Sequence, residues 1–272
     1  MPGRPGRWRM LPFSAAEIPA SPDELAAALA AGFAARGVVA KSVCAEGDWL
    51  AALAALRIDV SGARCGREFR VEAAKGEETV VVRAERFELV GEPLEFEGTP
   101  LRLRVEARGA ELRGAGPAGE GVLRVVGAES GEVVLAVSLA DLEALLHRLA
   151  RGVAEKQGVE VRATKLTLTD RGPRALSFRC EVTAKVFVMT AELSLCGELT
   201  VDGELNARLS GLTLGGDAMI TKMASGFARP YLEKLEGRSF SLLALGLGGL
   251  RVRDVELAAA DGLEVRAKFG RG

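Results

Sequence analysis

The chain has 272 residues, 48% of them hydrophobic, which is enough for one large core or two modest ones. Its 36 basic and 37 acidic side chains leave a formal net charge of −1, so bulk electrostatics gives no basis for binding nucleic acid or an acidic substrate. The four cysteines (Cys44, Cys65, Cys180 and Cys196) include no Cys-x-x-Cys pair, and His147 is the single histidine. The ligand set of a structural zinc site is therefore missing, and neither metal nor cofactor is expected.

Residues 1–20 carry Arg4, Arg7 and Arg9, are broken by Pro12 and Pro19, and hold no apolar core of about 7–15 residues such as a secretory signal needs. They read as a flexible arm. The alternative is a basic arm whose Trp8, Leu11 and Phe13 touch an anionic membrane. Nowhere do about 18 apolar residues run uninterrupted. No transmembrane helix is expected, and the expected location is the cytoplasm, with peripheral contact to the inner membrane as an option.

Ser21-Pro22-Asp23-Glu24 is a helix start: a capping serine, a proline at the first helical position, and acids at the positive end of the dipole. Leu25, Leu29 and Phe33 recur every four residues as one apolar stripe, and Gly37 ends it. A short strand is expected over 38–44. Asp48 is read as the cap of a brief helical turn through Trp49 and Leu53.

From Leu56 the period changes from 3.6 to 2. Leu56, Ile58 and Val60 alternate with Arg57, Asp59 and Ser61, and the pattern returns around Phe69, Val80 and Leu101. Such strands have one dry and one wet face, so their arginines read as solvated. Gly114, Gly116 and Gly119 spell Gly-x-Gly-x-x-Gly. Pro117 interrupts, however, and a strand-like run follows where a dinucleotide site needs a helix, so the match is read as accidental.

Ser138-Leu-Ala-Asp141 opens the clearest helix, with Leu139, Leu142, Leu145, Leu146, Leu149 and Val153 in one broad stripe and His147 beside it. Asp170-Arg-Gly-Pro173 is a turn. Residues 178–201 read as one extended stretch. Phe178, Cys180, Val182, Ala184, Val186 and Val188 face one way, and Leu193, Leu195, Leu199 and Val201 form a second set after a slip near Thr190. At 186–189 Phe187 and Met189 make both faces apolar, and a strand dry on both sides must be covered by a helix, a sheet or a ligand. Asp202-Gly203 is the strongest hairpin signal. A third helix is expected from Asp217, with Ile220, Met223 and Phe227 at helical spacing and a kink at Pro230. Two last strands meet at Asp261-Gly262.

The motifs of common enzymes are missing: there is no Gly-x-Ser-x-Gly elbow, Walker loop or His-Glu-x-x-His. The chain is read as non-catalytic. A hydrolase would need two carboxylates that the fold brings together from a distance.

The second half, about 138–270, resembles the bacterial LmeA-type phospholipid-binding family. The residues that carry the likeness are the Ser-Leu-Ala-Asp-Leu helix start, the strand pair closing at Val201-Asp-Gly203, a helix after Leu214, and the terminal Leu-Arg-Val-Arg-Asp-Val and Asp-Gly-Leu-Glu-Val runs. The first half is similar to that family's amino-terminal portion through 53–62 and 87–112. The resemblance implies a fold akin to the tubular lipid-binding superfamily, a phospholipid or fatty-acyl ligand, and no catalytic residues.

The expected architecture is α+β: a long, strongly curved, mainly antiparallel sheet wrapping amphipathic helices. It is expected as one domain over 21–272, in two loosely repeated halves at about 21–127 and 138–270. Its apolar groove is expected to be lined by Leu142, Leu146, Phe178, Val182, Val186, Phe187, Leu195, Ile220, Met223 and Phe227. The alternative is a structural or protein-interaction module in which these side chains fill a solid core.

Overall fold

A computed structural model describes residues 10–14, 19–48, 52–65, 78–115, 121–155, 158–186, 189–216, 232–234, 236–241 and 250–271. In chain order the elements are β1 (Met10–Phe13), α1 (Pro22–Ala34), β2 (Ser42–Asp48), β3 (Ala52–Asp59), β4 (Arg64–Cys65), β5 (Glu78–Phe96), β6 (Thr99–Ala115) and β7 (Gly121–Gly127). There follow β8 (Ser130–Ser138), α2 (Leu139–Ala154), β9 (Glu160–Gly172), β10 (Ala175–Val186), β11 (Met189–Val201), β12 (Asn206–Gly216), β13 (Ser239–Ser241), β14 (Val252–Ala258) and β15 (Gly262–Phe269).

Strand accounts for 66% of the structure and helix for 16%, which corrects the expected α+β class. The protein is mainly β. Its two mainly antiparallel sheets are not strongly curled and do not wrap helices. Alternation at period 2 fixes which side chains face inward, but it does not fix how far a sheet bends.

The chain divides into two compact units. One comprises Met1–Leu135, Leu243–Asp254 and Arg266–Gly272, and the other Ala136–Leu242 and Val255–Val265. In the first, β2 pairs with β3 and β5 with β6 in antiparallel fashion, while β3 and β4 run parallel to β5. β7 joins β6 to β1. Glu97 (φ 50°) and Gly98 (φ 74°) close the long β5–β6 hairpin. Two successive left-handed residues match the right-handed twist of the strands they join.

α1 forms as its sequence predicts. The Ser21 hydroxyl accepts from the Glu24 N–H at 3.2 Å, and the Glu24 carboxylate accepts from the Ala20 N–H at 2.7 Å. Leu25, Leu29 and Phe33 are buried in one core with Leu53, Leu56, Ile58, Leu112 and Leu123. Each such side chain contributes about 1.5–3 kcal/mol when fully buried.

Two local expectations fail here. Within the segment read as a flexible arm, Met10–Phe13 pair with β7, and Leu11 and Pro12 are buried, so Leu11 belongs to the core and does not face a membrane. Trp8 lies outside the described residues. Of the helical turn expected from Asp48 through Trp49 and Leu53, Asp48 and Leu53 lie in strands, and Trp49 lies outside the described residues. The register slips between Glu46 and Gly47, leaving Ala54 as an extra residue in β3, so that Leu53 and Leu56 are both buried although three positions apart. The bulge thus sets Leu53 out of phase with the alternation that begins at Leu56.

In the second unit a five-stranded antiparallel sheet runs in the order β13-β12-β11-β10-β9. β10 and β11 pair from Ala175↔Thr200 to Val186↔Met189. The stretch read as one extended strand is therefore two, and the phase slip near Thr190 marks the reversal between them. Glycine, proline, asparagine and aspartate are all missing from 186–189, so the usual turn signals gave no warning.

Candidate apolar binding face

Cross-strand partners share a face of a sheet, so the register assigns each side chain. In the second unit Leu166, Cys180, Leu195 and Leu214 form one such row. Beside it run Thr164, Val182, Leu193 and Gly216 on one side, and Leu168, Phe178 and Gly197 on the other. The opposite face carries Arg179, Glu181 and Lys185, with Arg179 and Glu181 ion-paired at 3.1 Å.

This apolar face is incompletely covered. Leu166, Leu176, Cys180, Ala184 and Ala191 are buried, whereas Phe178, Val182, Leu193, Leu195, Leu199 and Leu214 are only half-buried. A Cβ placed on Gly197 would stand 2.7 Å from both Phe178 Cζ and Leu212 Cδ2, so the phenyl ring and the leucine cover that glycine.

α2 lies against β9, an edge strand of the sheet. Ser138 caps it by accepting from the Asp141 N–H at 3.1 Å. Glu143 Oε1 accepts from the edge N–H of Leu166 at 2.8 Å, and His147 Nδ1 lies 3.3 Å from Thr164 Oγ1. The apolar stripe of α2 is not sealed: Leu142 and Leu146 are half-buried, and Leu149 is 57% exposed.

At β12 the pairing slips between Cys196 and Glu198, so Gly211 and Leu212 together oppose Gly197. Gly211 has φ 65°, the left-handed geometry of a glycine-led bulge. The bulge turns two successive N–H groups toward one acceptor. Glu236 receives both, from Gly211 at 3.0 Å and Leu212 at 2.8 Å. The Gly237 N–H donates to the Leu209 carbonyl at 2.8 Å. Next to this contact lies an open groove of about 460 Å³, lined by Leu212, Leu214 and Leu232 with Thr213, Glu233 and Glu236 at its polar side.

Of the expected lining residues, Phe178, Val182 and Leu195 share this face, on which Leu214 and Leu212 also lie. Leu142 and Leu146 are on α2. Val186 ends β10, with its side chain outside the description; Phe187, Ile220, Met223 and Phe227 lie outside the described residues. Gly211, Leu212, Leu214, Leu232 and Glu236 were not anticipated. The available signal was Gly211 interrupting an alternating run, which marks a bulge.

Cys180 pairs with Leu195 and Cys196 with Arg179, so the two thiols point to opposite faces and are free. Burial pushes the Cys180 thiol pKa up, and the charges of Glu143 and Glu181 add to the shift. Among the described residues, no group of three or more His, Cys, Asp or Glu side chains is placed to hold a metal ion, and no helix is long and apolar enough to cross a membrane. Comparison with protein-family models, curated proteins and solved structures gave no match.

Proposed function

We propose that the second unit binds an elongated apolar ligand, a fatty-acyl or phospholipid chain, without chemistry on it. The observation that carries this reading is the half-buried set of Phe178, Val182, Leu195 and Leu214, drawn from three neighbouring rows of one face, of which Leu214 also lines the groove. A volume of about 460 Å³ falls within the range of about 300–1,000 Å³ that suits small-ligand sites. Each methylene taken from water onto such a face contributes about 0.8 kcal/mol, so an acyl chain gains affinity with length. The rival reading, a module that pairs its strand edges with other chains, is less well supported. Glu143 and Glu236 already occupy edge N–H groups at β9 and β12.

The test is native mass spectrometry of the purified protein with solvent extraction of what it carries, followed by titration with hexadecanol against a fluorescent chain. A bound lipid, or displacement that strengthens with chain length, supports the proposal. A consistently empty protein that takes up no chain would sink it.

A further inference from the structure

The two oxygens of Glu236 sit on two adjacent backbone N–H groups, those of Gly211 and Leu212, beside the apolar groove. Paired backbone donors of this kind form an anion-binding concavity. The occupant here is a carboxylate from the same chain. Resting on the lipid-binding reading above, we propose that this cradle is the head-group site of the groove, that it takes the carboxylate of a free fatty acid, and that Glu236 is a built-in competitor for it.

The geometry supplies each part. Gly211 adopts φ 65° without steric cost, and the pairs Thr213↔Cys196 and Ser210↔Glu198 flank the bulge, so pairing with β11 as well as Glu236 holds the two donors together. Leu212 supplies one of the donors and also lines the groove, with Leu214 and Leu232 beside it, so a carboxylate on the cradle has its chain beginning at an apolar wall. Glu233 also lines the groove, and the Arg208 guanidinium lies 3.4 Å from where a Cβ on Gly237, the residue after Glu236, would stand. A competitor tethered in the same chain acts at an effective concentration of about millimolar, so its removal raises the apparent affinity of a ligand that uses the same donors.

The experiment compares hexadecanoate with hexadecanol, which share a chain and differ in head group, on the wild type, Glu236→Ala and Glu236→Gln. Hexadecanol reports what each substitution does to the groove itself, which Glu236 also lines, so the quantity read is the hexadecanoate-to-hexadecanol affinity ratio. That ratio is expected to gain about tenfold, or about 1.4 kcal/mol, in Glu236→Ala. Glu236→Gln, which keeps one neutral acceptor, is expected to fall between. A hexadecanoate-to-hexadecanol ratio that is unchanged or lowered in Glu236→Ala overturns the inference while leaving the groove reading intact. Binding of neither chain by the wild type removes both. Should the alanine variant fail to fold, amide NMR of the wild type decides. Hexadecanoate must shift the Gly211 and Leu212 resonances where hexadecanol does not, and unmoved amides overturn the proposal.

Discussion

Gly197→Ala is the sharpest test of the apolar face, because its sign depends on what covers that residue. A glycine in a strand interior costs about 0.5–1 kcal/mol relative to alanine, so an uncovered Gly197 would be stabilised by the substitution. In the structure the new methyl would stand 2.7 Å from Phe178 Cζ and from Leu212 Cδ2, closer than real Cβ atoms approach. Overpacking of this kind costs about 1–3 kcal/mol. Set against the backbone gain, this leaves a net change between about zero and a loss of about 2.5 kcal/mol, nearer zero the further the half-buried tips of Phe178 and Leu212 swing aside. Urea denaturation of the single variants and of Gly197→Ala with Phe178→Leu measures it. Shortening Phe178 makes room, so the pair should be coupled by about 1 kcal/mol in the cycle. A stabilised Gly197→Ala, or a pair that adds without coupling, would refute the placement of Phe178 over Gly197 and with it the assigned face.

Glu143→Ala leaves the Leu166 N–H at the β9 edge without its 2.8 Å acceptor, and a loss of about 1–3 kcal/mol is expected in the same denaturation experiment. Sedimentation should show new self-association, since the opened edge can pair with another strand. For Asp59, the hydrogen bond from Ser61 is the largest influence and lowers the carboxyl pKa, with Lys41 and Arg57 adding to it against a smaller opposing effect of burial. A pKa lowered by folding means stability that is present above the unfolded value of about 3.9 and is lost as pH falls through the folded value. Asp59→Asn should therefore flatten the loss of stability below about pH 4, and an unchanged acid limb would contradict the pairing. Cys44 is exposed, whereas Cys65 and Cys180 are buried with thiol pKa values raised by that burial. A maleimide should label Cys44 in the native protein and reach Cys65 and Cys180 only on unfolding. A Cys180–Cys196 cross-link under mild oxidant would contradict the β10–β11 register.

Local signals were legible where a single chemical device decides the outcome. Ser21 and Ser138 both cap the helices they were expected to cap, and the alternation of Leu56 and Ile58 with Arg57 and Asp59 puts the leucine and isoleucine in the core. Asp202 closes its turn by accepting from the Glu204 and Asn206 N–H groups at 2.9 Å. The failures share a physical origin in the phase of the alternation. At Leu53 a bulge shifted the phase and kept that residue out of the alternation read from Leu56; at 186–189 a chain reversal shifted it and imitated a strand dry on both faces. A count of apolar positions sees the same slip in both cases. Only the partner strand distinguishes them, and a single sequence does not display its partners. The fold class failed for a related reason. Sheet curvature depends on twist and bulges summed over many strands, and the two prominent amphipathic stripes of α1 and α2 drew more weight than 66% strand warrants.

The candidate site was legible to the same degree. Phe178, Val182 and Leu195 could be grouped because they alternate within strands, and the register places them on one face. Glu236 could not, because a carboxylate that reaches strand amides 24 and 25 residues away leaves no periodic trace. Both glutamates that reach the edges of this sheet hold N–H groups that would otherwise invite another strand. Their surroundings differ, and the difference gives them separate roles. Glu143 protects a regular edge at β9, where α2 lies, and its loss should show in stability and association. Glu236 serves a bulge beside an apolar groove, where its two acceptors match the head group of a fatty acid. Its loss should show first in which ligand the groove prefers. If both variants changed stability alone and neither changed ligand preference, the carboxylate at β12 would be an edge guard like its counterpart at β9.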